Sequence, residues 1–168
     1  MDVAAHVRAV LAGLATPSEV MACDPALADT AAFCAHYGFA LEDSANTIVV
    51  VGKADPPRYA ACVVLATTRL DVNRVVRTRL GAKKASFADA DATAALTGMT
   101  MGGVTAIGLP AGLPLWIDAA VMTRARIVLG GGSRDAKVLA APGLLLELPG
   151  AEVVDGLAGP IPPPASPE

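Results

Sequence analysis

Aromatic residues make up only 4% of this 168-residue chain, charged residues 17%, and histidine occurs twice. With so few aromatics, the interior has to be built from Ala, Val and Leu, which supply most of a 54% hydrophobic composition. That apolar fraction excludes a disordered chain, and the length suits one domain with a core large enough to fold without cross-links. A net charge of −3 leaves no overall basic footprint for nucleic acid. Three cysteines, Cys23, Cys34 and Cys62, fit no CxxC or Cys/His spacing. They read as small hydrophobes in a reducing compartment, and no metal centre or other cofactor is expected.

The shortage of histidine excludes much hydrolytic chemistry. A Ser/His/Asp or Cys/His site needs a base, and His6 and His36 both read as surface or packing residues. No G-x-S-x-G elbow, H-E-x-x-H or Walker loop occurs. Asp2 and Arg8 interrupt the first apolar stretch, which makes it an amphipathic helix rather than a signal peptide. The uncharged run between Asp91 and Asp118 could span a bilayer by length. It is broken by Gly98, Gly102, Gly103, Gly108, Pro110, Gly112 and Pro114, so it reads as a buried glycine-rich loop. A cytoplasmic protein without membrane attachment is expected.

Helical periodicity marks His6–Leu14, with Val7, Val10, Leu11 and Leu14 on one face. A second helix is expected over Thr30–Tyr37, with Asp29 as its cap and Gly38 as its stop. Thr47–Val51 and Tyr59–Ala66 form a hairpin with Lys53 at its mouth. Asp71 opens a helix that runs through Leu80 to Gly81, and a short strand follows at Lys84–Phe87. Asp91–Leu96 is a short helix, Leu115–Ile117 a strand, and Ala119–Thr123 a helical turn. Strands are expected at Arg126–Leu129, Lys137–Leu139 and Glu152–Val154, with a turn at Leu144–Leu148. Residues 1–158 form one α/β (α+β) body with a mixed sheet. From Gly159 on, Pro160, Pro162, Pro163, Pro164 and Pro167 suggest a disordered tail over 159–168.

Four features could carry chemistry. Lys53 ends an apolar strand directly after a glycine, where an ammonium can hold a phosphate or an oxyanion, or simply snorkel at the surface. The run from Gly102 to Gly108 can fold its N–H groups into a concavity for an anion, a carbonyl or a water. Gly130 to Arg134 is another glycine loop, with Arg134 and Lys137 nearby, and a nucleotide-binding regulator is one reading of it. Finally, Arg69, Arg74, Arg77, Arg79, Lys83 and Lys84 face one acid, Asp71, in sixteen residues. Such a basic helix can engage nucleic-acid phosphates even in an acidic protein, or merely be a solvated face.

These stretches occur in an ordered set. Thr47 to Lys53 is followed by Leu70-Asp71 through Lys83-Lys84, and then by Leu96-Thr97-Gly98 leading to Gly102-Gly103-Val104. Ile117-Asp118-Ala119 and Gly131-Gly132-Ser133-Arg134 complete the set. In that order they resemble the YbaK/prolyl-tRNA synthetase-associated editing domain family over about residues 30 to 158. The resemblance implies a mixed sheet curled into a partial barrel and surrounded by helices. The implied activity is aminoacyl-tRNA deacylation in trans: hydrolysis of the ester on a tRNA mischarged with a small amino acid such as alanine, cysteine or serine. The substrate's terminal ribose hydroxyl would activate water, which accounts for the missing histidine base.

The resemblance makes Lys53, Gly102, Gly103 and Thr105 the catalytic candidates. Val104, Ala106, Asp118, Gly131, Gly132, Ser133 and Arg134 would bind substrate, and Arg69, Arg74, Arg77, Lys83 and Lys84 would contact tRNA. The family loop reads Gly-Gly-x-Ser-Pro where this chain has Thr105 and Ala106. The partners implied are the acceptor end of a mischarged tRNA and, secondarily, an aminoacyl-tRNA synthetase. A non-catalytic tRNA- or synthetase-binding module of the same fold is the alternative.

Overall fold

The computed structural model describes residues 2–161. The chain opens with α1 (Val3–Ala12), capped by the Asp2 carboxylate, which accepts from Ala5 N–H at 3.2 Å. Then come β1 (Ser18–Ala22) and α2 (Thr30–Tyr37). The hairpin follows as β2 (Ala45–Gly52) and β3 (Arg58–Leu65), with β4 (Thr68–Leu70) directly after it. A five-residue π turn, Val72–Val76, leads into α3 (Arg77–Leu80), β5 (Ala85–Phe87) and α4 (Ala90–Thr97). The second half supplies β6 (Leu115–Asp118), β7 (Ile127–Gly130), β8 (Ala136–Ala140), β9 (Ala151–Val154) and β10 (Ala158–Pro160).

Five strands form a mixed sheet in the order β5-β2-β3-β6-β9. β5, β2 and β3 are antiparallel, whereas β6 lies parallel to both β3 and β9. A three-stranded antiparallel sheet runs β1-β8-β7, and β10 pairs with β4. A bridge between Ser44 and Val128 ties the three-stranded sheet to the start of β2. The expected mixed α/β architecture is present, and none of the three sheets closes into a barrel.

The core follows from strand alternation. From Ala60 to Leu65 β3 is an unbroken apolar run, as suits a strand covered on both faces. Ala61, Val63 and Leu65 join the cluster with Ile117, Ile127 and Val138, while Ala60, Cys62 and Val64 join Val76, Leu80 and Trp116 on the other side. A third cluster packs Phe33 and Cys34 of α2 against Val128 and Leu139. All three cysteines are free and buried, and burial pushes the Cys62 thiol up to about 12.

Several expectations are revised. The helix expected from Asp71 to Leu80 begins as a π turn, because Val76 N–H reaches back five residues to Asp71 O at 3.0 Å. Asp29 does not cap α2 through its side chain; its carboxylate pairs with Arg134 at 3.1 Å. Gly159 and Pro160, expected to open the tail, pair with Arg69 and Thr68 instead. The rest of the expected tail lies beyond the described residues. Among those residues, no helix is long and apolar enough to cross a membrane.

Candidate functional site

β2 has strand partners on its outer side only toward its ends. The Ser44–Val128 bridge holds its start, and β5 pairs with Val50–Gly52. Between them, at Asn46–Val49, a cleft opens. It has two lobes that share Thr47, Ile48, Met101 and Val104. One lobe, about 230 Å³, is polar and is walled by Asp29, Asn46, Gly102, Gly130 and Lys137. The other, about 260 Å³, is apolar and adds Val49, Phe87, Ala88 and Thr93.

Lys137 is the cation of the polar lobe. On β8, Val138 and Ala140 belong to the main core, so alternation turns Lys137 and Leu139 to the opposite face. The ammonium lies 5.5 Å from the Phe33 ring centroid and donates to Ala28 O at 2.7 Å and Gly102 O at 3.0 Å. An ammonium has three N–H donors, so one has no acceptor among the described residues. Thr30 Oγ1 donates to Asn46 Oδ1 at 2.9 Å and fixes that amide at the lobe wall.

Burial pushes the Lys137 ammonium below the usual lysine value; Cys23 opposes this and Arg134 adds to it. The folded state therefore releases this proton at lower pH than the unfolded chain does, which imposes a stability penalty below the folded pKa. That penalty is relieved as pH rises from the folded pKa toward the unfolded value of 10.5. Urea unfolding of the parent and Lys137→Met across alkaline pH is expected to show the parent gaining on the variant through that window. A constant or shrinking difference would contradict this.

The two glycine loops form one joint. Gly103 O accepts from Gly132 N–H at 2.6 Å. A Cβ on Gly103 would come within 2.5 Å of the Ser133 carbonyl carbon, and one on Gly130 would overlap Val104 O. Gly102, at φ +89°, turns the chain into the cleft. Gly103 N–H is spent on Thr100 O and Thr105 N–H on the Met99 sulfur. Among the described residues, no acceptor takes the N–H of Gly102 or Val104, and both residues line the cleft.

Arg134 braces this joint, donating to Pro25 O, to Asp29 Oδ1 and to Met101 O, each at 3.1 Å.

The structure gathers only part of the expected set. Gly102 and Val104 line the cleft, while Gly103 and Arg134 hold its wall from behind. Thr105 is fully buried beneath the loop, its hydroxyl accepting from Ile107 N–H, and Ala106 belongs to the main core. Gly131 packs on Ala136 and Gly132 on Val3 and Val7 of α1, and the Ser133 hydroxyl donates to Asp135. Asp118 is buried at the end of β6, where it accepts from Ala158 N–H and anchors β10.

Lys53 is not brought to the cleft. It is exposed just past the far end of β2, its N–H bonded to Lys84 O at 2.8 Å. Six residues separate it from Thr47, about 20 Å at 3.3 Å per residue. It joins the basic segment instead, where Arg69, Arg77, Lys83 and Lys84 have no ion-pair partner among the described residues and Arg74 pairs with Asp71. Lys137 is legible in the sequence as a cation near the Gly130–Arg134 loop and as the one charge in Ala-Lys-Val-Leu-Ala, a pattern that signals either a surface strand or an ammonium turned into a site.

A mixed sheet carries a cleft between a buried ammonium and a glycine joint, an arrangement whose donors can pair with a carbonyl or an anionic group. The aminoacyl-tRNA editing domain model matches residues 24–148, and the chain belongs to that family. Among solved structures, the chain is similar to a protein described as a candidate trans-editing enzyme for prolyl tRNA synthetase. That match has a TM-score of 0.78 and 24% identity over 92% of this chain and 96% of that one. It is also similar to the hypothetical protein APE2540, with a TM-score of 0.81 and 23% identity over 92% and 99% of the two chains. A scaffold protein used in epitope backbone grafting matches at TM-score 0.77 and 26% identity, over 92% of this chain and 96% of that one.

Proposed function

We propose that this protein hydrolyses, in trans, the ester linking a small amino acid to a mischarged tRNA. The observation that carries this reading is the buried Lys137 ammonium with one unused donor, set beside Gly102 in a cleft of limited volume. In this reading the polar lobe takes the ester and the amino acid, and the apolar lobe takes the terminal nucleoside. The free Lys137 N–H and the amides of Gly102 and Val104 hold the carbonyl oxygen as negative charge develops there. The Asp29 carboxylate faces the substrate's α-ammonium.

Water adds to the ester carbon, and the carbon–oxygen bond to the ribose then breaks. The proton lost by water ends on the departing ribose oxygen, relayed by the neighbouring ribose hydroxyl. Free amino acid and tRNA leave. No histidine takes part: His6 lies against Gly108 and His36 edge-on to Tyr37.

A lobe of about 230 Å³ that must hold an ester and an ammonium leaves room for a small side chain. Size alone discriminates by about 1–3 kcal/mol per methylene. A panel of tRNAs charged with alanine, cysteine, serine, valine and leucine tests the reading. Release of the small amino acids is expected to be fastest, falling at least tenfold by leucine. No hydrolysis of any member would remove it and leave the non-catalytic binding module.

A further inference from the structure

A second depression, about 570 Å³, runs along β5 and is lined by Ala85, Ser86, Phe87, Arg69, Asn73 and Pro160. Phe87 also walls the apolar lobe, so groove and cleft meet at this one side chain. Phe87 is 55% exposed on β5, an edge strand of the five-stranded sheet. Beyond Ala85 the same strand leads to Lys84, which meets Lys53 through the Lys53 N–H to Lys84 O bond. The basic segment that the sequence singled out therefore reaches this groove at two places. Arg69 lines it and Lys84 stands at its end, neither of them with a carboxylate partner among the described residues. Arg79 is excluded, since it pairs with Glu152 and lies 4.9 Å from the Trp116 ring centroid.

We infer that the β5 groove is the track for the single-stranded 3′ end of the tRNA, with Phe87 stacking on a base at the mouth of the cleft and Arg69, Lys84 and Lys53 holding phosphates. The inference deepens the deacylase reading and rests on it for the identity of the RNA. An exposed aromatic flanked by unpaired cations is the arrangement that holds single strands without reading their sequence. The span of about 20 Å from Thr47 to Lys53 separates the phosphate-holding end from the cleft that receives the terminal nucleoside. Among the acids beside the groove, Asp71 lines it and is paired with Arg74, Asp55 lies two residues past Lys53, and Asp89 and Asp91 follow Phe87 by two and four residues.

The test uses direct binding of uncharged RNA, so it does not depend on hydrolysis. The probes are two minihelices, one blunt and one with a four-nucleotide 3′ overhang ending in CCA. The parent protein is expected to favour the overhang at least tenfold. Phe87→Ala is expected to lose that preference, with about a tenfold weaker Kd for the overhang probe, and Phe87→Trp to keep it. Lys84→Met and Lys53→Met should each weaken binding and lower the slope of log Kd against log salt by about one. Arg8→Met, on α1 and outside the groove, should bind as the parent does. Equal affinity of Phe87→Ala and parent for the overhang probe would overturn the inference, as would an Arg8→Met loss as large as that of the lysine variants. Should the deacylation panel fail while these binding differences hold, the track stands and the catalytic reading falls.

Discussion

Replacing Lys137 with methionine is expected to lower kcat/KM for deacylation by about 10²–10³-fold, the usual consequence of removing one donor to a developing oxyanion. Methionine keeps the length and apolar body of the stem over Phe33 but removes the ammonium that faces the cleft. The loss should fall mainly on kcat, because the contact strengthens as charge develops on the carbonyl oxygen. Loss of fold would not explain it. The substitution removes a charge that burial disfavours but also takes the donor from the Ala28 and Gly102 carbonyls, and these opposed effects leave the variant's melting temperature expected close to the parent's. The parent's activity should also decline at alkaline pH below the ordinary lysine value of 10.5, since only the ammonium form donates. A Lys137→Met protein that deacylates within a few-fold of the parent would place the catalytic cation elsewhere.

The second large effect is structural. Gly103→Ala is expected to destabilise the protein by about 3 kcal/mol, the upper range for forcing atoms into a packed site. For a chain of this size that is a fall in melting temperature of about 6–12 °C. The added methyl would come within 2.5 Å of Ser133 backbone atoms, and backbone cannot swing aside as a side-chain tip can. The Gly132 N–H to Gly103 O bond would have to open, and Gly102 and Val104 would shift with it. Activity should therefore fall at temperatures where the variant is still folded. Gly143→Ala, where a Cβ meets nothing within 4 Å, is the matched control and should melt close to the parent. Equal melting of Gly103→Ala and parent would show that the two loops are not locked together.

Both effects come from groups the sequence showed but whose roles it could not assign. Gly103 was visible as half of a double glycine, and the expectation was an open loop cradling a ligand with its amides. In the fold the N–H and the carbonyl of Gly103 are both spent, and its lack of a side chain serves close approach of Gly132 and Ser133. Lys53 was visible as the cation ending an apolar strand. Which end of that strand faces a cavity depends on where β5 and β7 leave β2 uncovered, and that is settled by partners 33 and more residues away. Lys137 sits in a strand of five residues, too short for its alternation to say which face meets the core.

What the sequence determined by itself is local. Gly38, Gly81 and Gly98 stop helices in the left-handed conformation, and β2 and β3 pair across a short turn because the apolar runs and the Asp-Pro-Pro turn between them specify both strands. The ordered set of segments was enough for the family, and the concentration of cations between Arg69 and Lys84 was plain. Tertiary structure alone decided the rest. β1, β4 and β10 carry little strand signal and exist as strands through pairing with distant segments. The lysine in the cleft is Lys137 and not Lys53, because burial and the uncovered stretch of β2 are properties of the packed sheets. A linear chain fixes the spacing of its charges, but only the fold decides which of them loses its water.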